Sequence, residues 1–509
     1  MKRLITVLAI LIISSALAAA CGENPPPEAE PPPSNQPVIS ATPDHTPAPQ
    51  LSPEISAAPV SPSPTSELSP TPASPLEPSP TSAPISETLP TPTSGPEAIP
   101  TPEVPSAAFQ SGFANHFGFM PAFYDYSTER ETGAAWDRPY FERFTWGWIE
   151  QKPGVFRFEE TDQQVRDAQE FDFHILANIQ PKANWDLAKC HSGSFFPGTQ
   201  PSPFDGAYKP CDMERYKNFV SKLVERYDGD GIDDMPGLTA PIKHWEVMNE
   251  PEFDFYFLGT PADYFEILRA TAEAAKSADP EAMIVQGGLA GMMPECTEFW
   301  QAVFDLGGAQ YIDIFNMHSI GHGEHLNIPT FKVFLSKNGI SDKPIWVTEV
   351  QYQQSQQTVN ASPEQFAQIM ARSYIFALAN GVDKLFYVNL VKAHFAPNAP
   401  FDERSALLND LLQKTPMFYV HRTIADKLGD LDSDDTVEVL AEKVGSWSIE
   451  TGQYKFVING RTIYALWGSG PVPSEIHGTV KITEMSGNVR TADAATITLS
   501  AAPIFVEPL

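Results

Sequence analysis

Between Phe109 and about Asp426 the sequence alternates short apolar runs with amphipathic helical stretches, and this alternation constrains the fold more than any other feature. Eight runs read as strands: Gly112–Asn115, Tyr140–Thr145, His174–Ile179, His244–Met248, Met283–Gly287, Ile312–Met317, Ile345–Thr348 and Lys384–Val388. Helical patterns lie between most of them. From Pro261 to Ala278, Tyr264, Leu268, Thr271 and Ala275 fall near one face; Thr260-Pro261 makes the cap and first turn, and Asp279-Pro280 ends it. A second helix is capped by Ser362 ahead of Pro363 and stops at Asn380-Gly381. Such a pattern predicts a (β/α)8 TIM barrel over residues 106–428. A doubly wound sheet shares the alternation, but no Gly-rich phosphate fingerprint follows the first strand.

After Leu428 the helices give way to strand-like runs: Thr436–Leu440, Trp447–Glu450, Tyr454–Ile458, Thr462–Trp467, Thr479–Thr483, Ala495–Leu499 and Ile504–Val506. Turns such as Asn459-Gly460 and Ser486-Gly487-Asn488 separate several of them. A small β-sandwich is expected over residues 429–509, packed against the barrel.

Ahead of the barrel lie two segments of different character. Lys2 and Arg3 precede an apolar run from Leu4 to Leu17, then Ala18, Ala19, Ala20 and Cys21. A basic start, a short apolar segment and small residues form an export signal, too short for a membrane span of about 20 residues. The cysteine after the small residues resembles a bacterial lipobox, which implies lipidation of Cys21 and anchoring to the bacterial cell membrane, facing outside or periplasm. Residues 22–105 then hold slightly more than half of the chain's 50 prolines and no Lys or Arg. Such a Pro/Ser/Thr-rich stretch buries too little apolar surface to fold, and is expected to be a disordered spacer.

A net charge of −31, the acidic spacer included, argues against nucleic acid as partner and against docking on anionic lipid. A neutral carbohydrate fits this balance. Besides Cys21 there are Cys190, Cys211 and Cys296, without CxxC spacing for a zinc site. In an oxidising compartment Cys190 and Cys211 could close a loop, so one disulfide plus a buried thiol is expected.

In a barrel of this kind the site sits at the carboxyl ends of the strands. Two predicted strands end in glutamate: His244-Trp245-Glu246-Val247-Met248-Asn249-Glu250-Pro251 and Pro344-Ile345-Trp346-Val347-Thr348-Glu349-Val350. Retaining glycosidases need two carboxyl groups about 5 Å apart, one to attack the anomeric carbon and one to shuttle a proton. Asn249-Glu250-Pro251 and Thr348-Glu349 together resemble glycoside hydrolase clan A, in particular the barrel-plus-sandwich type of family 39. Trp146-Gly147-Trp148-Ile149-Glu150 with Pro153-Gly154-Val155-Phe156, and Ala278-Asp279-Pro280-Glu281-Ala282, extend the resemblance over Phe109 to Leu509. It implies an O-glycosidase with Glu250 as acid/base, Glu349 as nucleophile and Asn249 on the sugar 2-hydroxyl, and no cofactor or metal.

The same resemblance implies an arginine near the end of the second strand. Arg138 and Arg143 compete for that place, Arg143 being favoured because it lies inside the candidate strand. It further implies His-x-Tyr after the sixth strand, the tyrosine bonding to the nucleophile. This chain has His318 as a substrate-side residue but Ile320 in place of the tyrosine, for which Tyr352 or Tyr387 could substitute. His318, His322 and His325 have spacings that tempt a metal reading, but a glycine-rich loop is a poor ligand platform. Trp185, Phe253, Phe255, Tyr256, Phe257 and Tyr387 offer flat faces for sugars, although core packing is the commoner role for any one of them.

Two rival readings have distinct signatures. A glycan-binding surface lipoprotein on a degenerate barrel would keep the glutamates without catalysis. A solute receptor for a transporter would have two similar lobes joined by a hinge, which one barrel with a terminal sandwich does not match.

Overall fold

The computed structural model describes residues 115–122, 125–193, 201, 206–353, 355–388, 390–391 and 402–509. The export signal, Cys21, the spacer and all but the last residue of the expected first strand lie outside the described residues.

Eight parallel strands form the barrel: β1 Phe117–Phe119, β2 Trp136–Asp137, β3 His174–Ile179, β4 His244–Val247, β5 Met283–Val285, β6 Phe315–Ile320, β7 Ile345–Gln351 and β8 Val382–Tyr387. A helix follows each: α1 Tyr126–Arg130, α2 Glu159–Glu170, α3 Met213–Glu225, α4 Pro261–Ala278, α5 Pro294–Asp305, α6 Ile328–Lys337, α7 Pro363–Ala379 and α8 Pro416–Leu428. The strands pair in the order β5-β4-β3-β2-β1-β8-β7-β6. Parallel bridges Val285–Ile314 and Leu289–Met317 span the seam between β5 and β6, so the barrel is nearly closed.

The helices with the best-marked ends form as their residues predict. Thr260 and Asp263 make a reciprocal capping box on α4, as do Ser362 and Gln365 on α7, satisfying amide donors that the first turn leaves free. The first two strands differ from expectation. β1 is Phe117–Phe119, and Asn115, the one described residue of the expected first strand, precedes it. β2 is Trp136–Asp137, while Phe141–Phe144 inside the expected Tyr140–Thr145 strand is a 3-10 turn. Pro139 explains the break: it has no N–H to donate to a ladder, so pairing ends beside it.

Strand alternation sorts two cores. Inside the barrel, Trp136, Leu176, Val285, Ile314, Trp346 and Phe386 pack together. Trp136 meets Trp346 edge-on at 5.3 Å, and His244 stacks on Trp346 at 5.0 Å. Residues of the opposite parity, such as Trp245, Val247, Phe315 and Met317, join the core that includes the helices. Cys190 and Cys211 are disulfide-bonded, and Cys296 is a buried thiol.

The C-terminal sandwich has a six-stranded antiparallel sheet: β9 Thr436–Val444, β10 Ile449–Ile458, β11 Arg461–Trp467, β12 Thr479–Glu484, β13 Val489–Asp493 and β14 Ile504–Pro508. Its order is β9-β10-β11-β14-β12-β13, and Gly470–Pro471 pairs with Thr498–Leu499 as a separate two-stranded ladder. The two strands expected at Trp447–Glu450 and Tyr454–Ile458 are one long strand, β10, and β13 was not expected at all. Along β11, Tyr464 and Leu466 face a core of their own with Leu499, Val480 and Ile482. Ile463, Ala465 and Trp467 face the core shared with the barrel.

Candidate active site

The site stands on the carboxyl ends of the strands, above the tryptophan-filled interior. From β4, His244 and Glu246 point inward with period two, and the chain then turns sharply. Met248 and Glu250 take left-handed backbone angles, φ 65° and 39°, a conformation that costs energy for non-glycine residues and is held here by its surroundings. Asn178 on β3 donates to the Met248 carbonyl at 2.9 Å and so pins the turn.

On β7 the ladder slips. Met317 pairs with Val347 but His318 pairs with Glu349, so Thr348 is an extra residue. A bulge of this kind re-aims side chains. Thr348 Oγ1 meets His318 Nε2 at 3.2 Å and accepts from Asn316 Nδ2 at 2.8 Å, while Glu349 also enters the site.

The two glutamates converge. One oxygen of each and one ring nitrogen of His318 lie within 4.8 Å of one another. His318 Nδ1 is 2.7 Å from Glu250 Oε1 and 3.7 Å from Glu349 Oε1. The Glu250 side chain is 2% exposed and that of Glu349 12%.

Arg138, directly after β2, is fully buried at the centre. Its Nη1 donates to Glu349 Oε1 at 2.9 Å, its Nη2 to Asn249 Oδ1 at 2.6 Å, and its Nε to Glu246 Oε2 at 2.6 Å. The expectation for Arg143 is therefore corrected. Arg143 sits in the 3-10 turn beyond Pro139, where its Nη1 donates to Glu160 Oε2 at 2.7 Å and its side chain is one-third exposed. Asn249 is wholly buried, with its side-chain amide beside the Tyr256 hydroxyl.

Electrostatics separates the two carboxyls. Burial pushes the Glu250 carboxyl up to about 8; the Arg138 cation opposes this and the Glu246 carboxylate adds to it. Burial also raises Glu349, and the charges of Glu250 and Glu246 add to this, while the Arg138 cation, bonded to it directly, pulls it down. Glu250 is thus protonated near neutral pH. Burial holds His318 down at about 4, so its ring is neutral there.

Neither tyrosine proposed to replace the one missing at Ile320 reaches Glu349. The Tyr387 hydroxyl donates to the Ser405 carbonyl at 2.6 Å, and Tyr352 lies beside Ser373, Glu324 and Arg372. The tyrosine that feels both glutamates is Tyr256: burial raises its hydroxyl most, then the charges of Glu250 and Glu349. Of the other aromatics, Trp185 serves packing, its Nε1 bound to the Glu150 carbonyl and its ring edge-on to Trp146.

Glu250, His318 and Glu349 could offer three ligand atoms to a metal ion. The Arg138 cation on Glu349 makes that a poor cation site. His322 and His325 belong to no such cluster among the described residues; His325 Nε2 instead meets the Ser446 carbonyl at 3.2 Å.

Sequence reasoning missed Glu246, Asn178 and Asn316; Tyr256 was named only as one of several aromatic faces for a sugar, not as a neighbour of both glutamates. Glu246 carried a signal: an acid inside an apolar strand, four residues before Glu250 and of the same parity. Asn178 and Asn316 carried a weaker one, a lone amide in each apolar run.

Neither a protein-family model nor a curated protein matches the sequence. Solved structures do match in fold. One is a family 39 glycoside hydrolase from the gut symbiont Bacteroides cellulosilyticus WH2, with TM-score 0.57 and 17% identity over 77% of this chain and 80% of that one. Another is a glucosidase from Croceicoccus marinus, with TM-score 0.53 and 14% identity over 79% and 97%. A third is a monomeric β-xylosidase from Caulobacter crescentus CB15, with TM-score 0.51 and 14% identity over 79% and 98%. At these identities the likeness is one of fold.

Proposed function

We propose that this chain is a retaining glycoside hydrolase acting on a β-linked carbohydrate. The observation that carries the reading is that one oxygen of each carboxyl lies within 4.8 Å of the other, with Glu250 pushed up to about 8 and so protonated at neutral pH. Retention needs a separation of about 5–5.5 Å, whereas an inverting pair stands about 6.5–9.5 Å apart to admit a water. Glu349, paired with Arg138, attacks the anomeric carbon while Glu250 gives its proton to the leaving oxygen. The sugar is then bonded to Glu349, and Glu250, now ionised, takes a proton from the water that displaces it. The side-chain amide of Asn249 would donate to the sugar 2-hydroxyl. The fold shared with a family 39 glycoside hydrolase and a β-xylosidase supports the reading.

The purified protein should hydrolyse members of an aryl β-glycoside panel, with the first-formed sugar keeping its β configuration by proton NMR. An inverted product would sink the close-carboxylate mechanism; no hydrolysis of any member would favour a glycan-binding protein on a barrel without turnover. We also infer that Cys21 anchors an exported chain to the membrane. Cys21→Ala should then move the protein from the membrane to the soluble fraction of a bacterial host.

A further inference from the structure

Glu246 takes no part in the two steps just described, yet it is the most heavily bonded carboxylate of the site. It lies within β4, fully buried. Its Oε2 accepts from Arg138 Nε at 2.6 Å and Asn178 Nδ2 at 2.8 Å. Its Oε1 accepts from Asn316 Nδ2 at 2.9 Å, Arg138 Nη2 at 3.1 Å and the Gly288 amide at 3.3 Å. Donors thus reach it from β3, β6, the end of β2 and the loop after β5. Two of the five come from one guanidinium in the side-on, bidentate geometry that fixes its plane.

That plane matters because Arg138 has three edges and uses all of them in the site. With Nε and Nη2 gripped by Glu246, Nη1 can only point at Glu349, and Nη2 also reaches Asn249. We propose that Glu246 is a positioning residue, which fixes the Arg138 guanidinium and so aims it at Glu349 while dividing its charge between two carboxylates. The proposal rests on the glycosidase reading and deepens it.

Division of the charge has a measurable consequence. One cation, Arg138, faces two carboxyl groups, Glu246 and Glu349, while burial pushes Glu250 up to about 8 and holds His318 down at about 4. Glu252, Tyr256 and Cys296 also face Glu250, and none of them supplies positive charge. Removing the Glu246 charge leaves Arg138 undivided for Glu349 and Glu250, and both should then give up their protons at lower pH.

The test compares wild type, Glu246→Gln and Glu246→Asp in the full chain, with kcat and kcat/KM measured against pH on the aryl β-glycoside that wild type cleaves. Glu246→Gln should move both limbs of the profile to lower pH, by about one unit each. Glu246→Asp keeps the charge, so its limbs should stay, but its shorter reach lets the guanidinium drift, and kcat should fall by roughly 100-fold with KM little changed. Unmoved limbs in Glu246→Gln, at any kcat, overturn the proposal, because a residue that merely supports packing lowers kcat without shifting them. If Glu246→Gln does not fold, Glu246→Asp decides, and a wild-type kcat there overturns it. Carboxyl 13C NMR titration, assigned with Glu250→Gln and Glu349→Gln, reads the same shifts without turnover. A wild type that cleaves nothing but shows the shifts would end the glycosidase reading and leave the positioning role standing.

Discussion

Glu250 keeps its proton because burial costs a charge more than the single nearby cation returns. Its alkaline limb should therefore lie near pH 8, activity falling as the acid ionises, and the acid limb, from Glu349, should lie above the ordinary carboxylate range because burial raises that group too. A profile of kcat/KM against pH checks both. Glu349→Gln should abolish turnover with the fold intact by circular dichroism. Glu250→Gln should cost roughly 10²- to 10⁴-fold, and less for a dinitrophenyl leaving group that departs without a proton. Gly288 offers a sharper test: a Cβ there would stand 2.0 Å from His318 Nε2, so Gly288→Ala must push the imidazole off Glu250. Activity should fall, and the alkaline limb should move. The glutamates were legible because each closes an apolar run, and one stands between Asn and Pro. Arg138 was passed over for Arg143 because a residue's place on a strand was inferred from apolar pattern, and Pro139 moved the strand.

At the scale of elements, legibility followed length. Helices α4 and α7 carry their own start and stop signals, and β3 and β4 are apolar enough to be found at their true positions. β2 is two residues long and leaves no periodicity to read. The bulge at Thr348 is likewise invisible in sequence, since one extra residue changes which side chains face inward without changing composition. One junction between elements is an ion pair. Glu324, after β6, accepts from Arg372 Nε at 2.9 Å and Nη2 at 2.5 Å on α7, and from the Ile449 amide of β10 at 2.9 Å. Arg372 in turn donates to the Ala501 carbonyl at 2.7 Å. This buried carboxylate ties the barrel to the sheet. Glu324→Ala leaves the partly buried Arg372 guanidinium with the Ala501 carbonyl alone and the Ile449 amide without its acceptor, and should destabilise the chain by about 2 kcal/mol in urea denaturation. KM should be unaffected, because the junction lies outside the cluster of Glu250, His318 and Glu349.

For the folded part as a whole, the shared core decides cooperativity and the buried acids decide the response to pH. Tyr454, Phe456, Trp467 and Phe505 of the sheet belong to the same apolar core as the barrel helices, so the two should unfold together, with tryptophan fluorescence and far-ultraviolet circular dichroism tracing one transition. Stability should then depend on proton binding. Glu250 and Glu252 hold their protons up to about 8 and Asp137 to about 7 in the fold, all because of burial, whereas in the unfolded chain they release them near the ordinary carboxylate values. Over that interval the folded state binds more protons than the unfolded one, so these groups lower stability as pH rises. His244, His318 and His421 act in the opposite sense, their folded values being depressed to about 3, about 4 and about 4, but that effect is nearly complete about one unit above the unfolded histidine value of about 6.5. From about pH 7.5 the acids alone set the slope, and the urea midpoint should fall until they have ionised in the fold. In Glu250→Gln the titrating group is gone, so the fall should be shallower than in wild type across the same range. An equal slope in both proteins would mean that Glu250 is ionised in the fold at neutral pH, and it could not then be the acid.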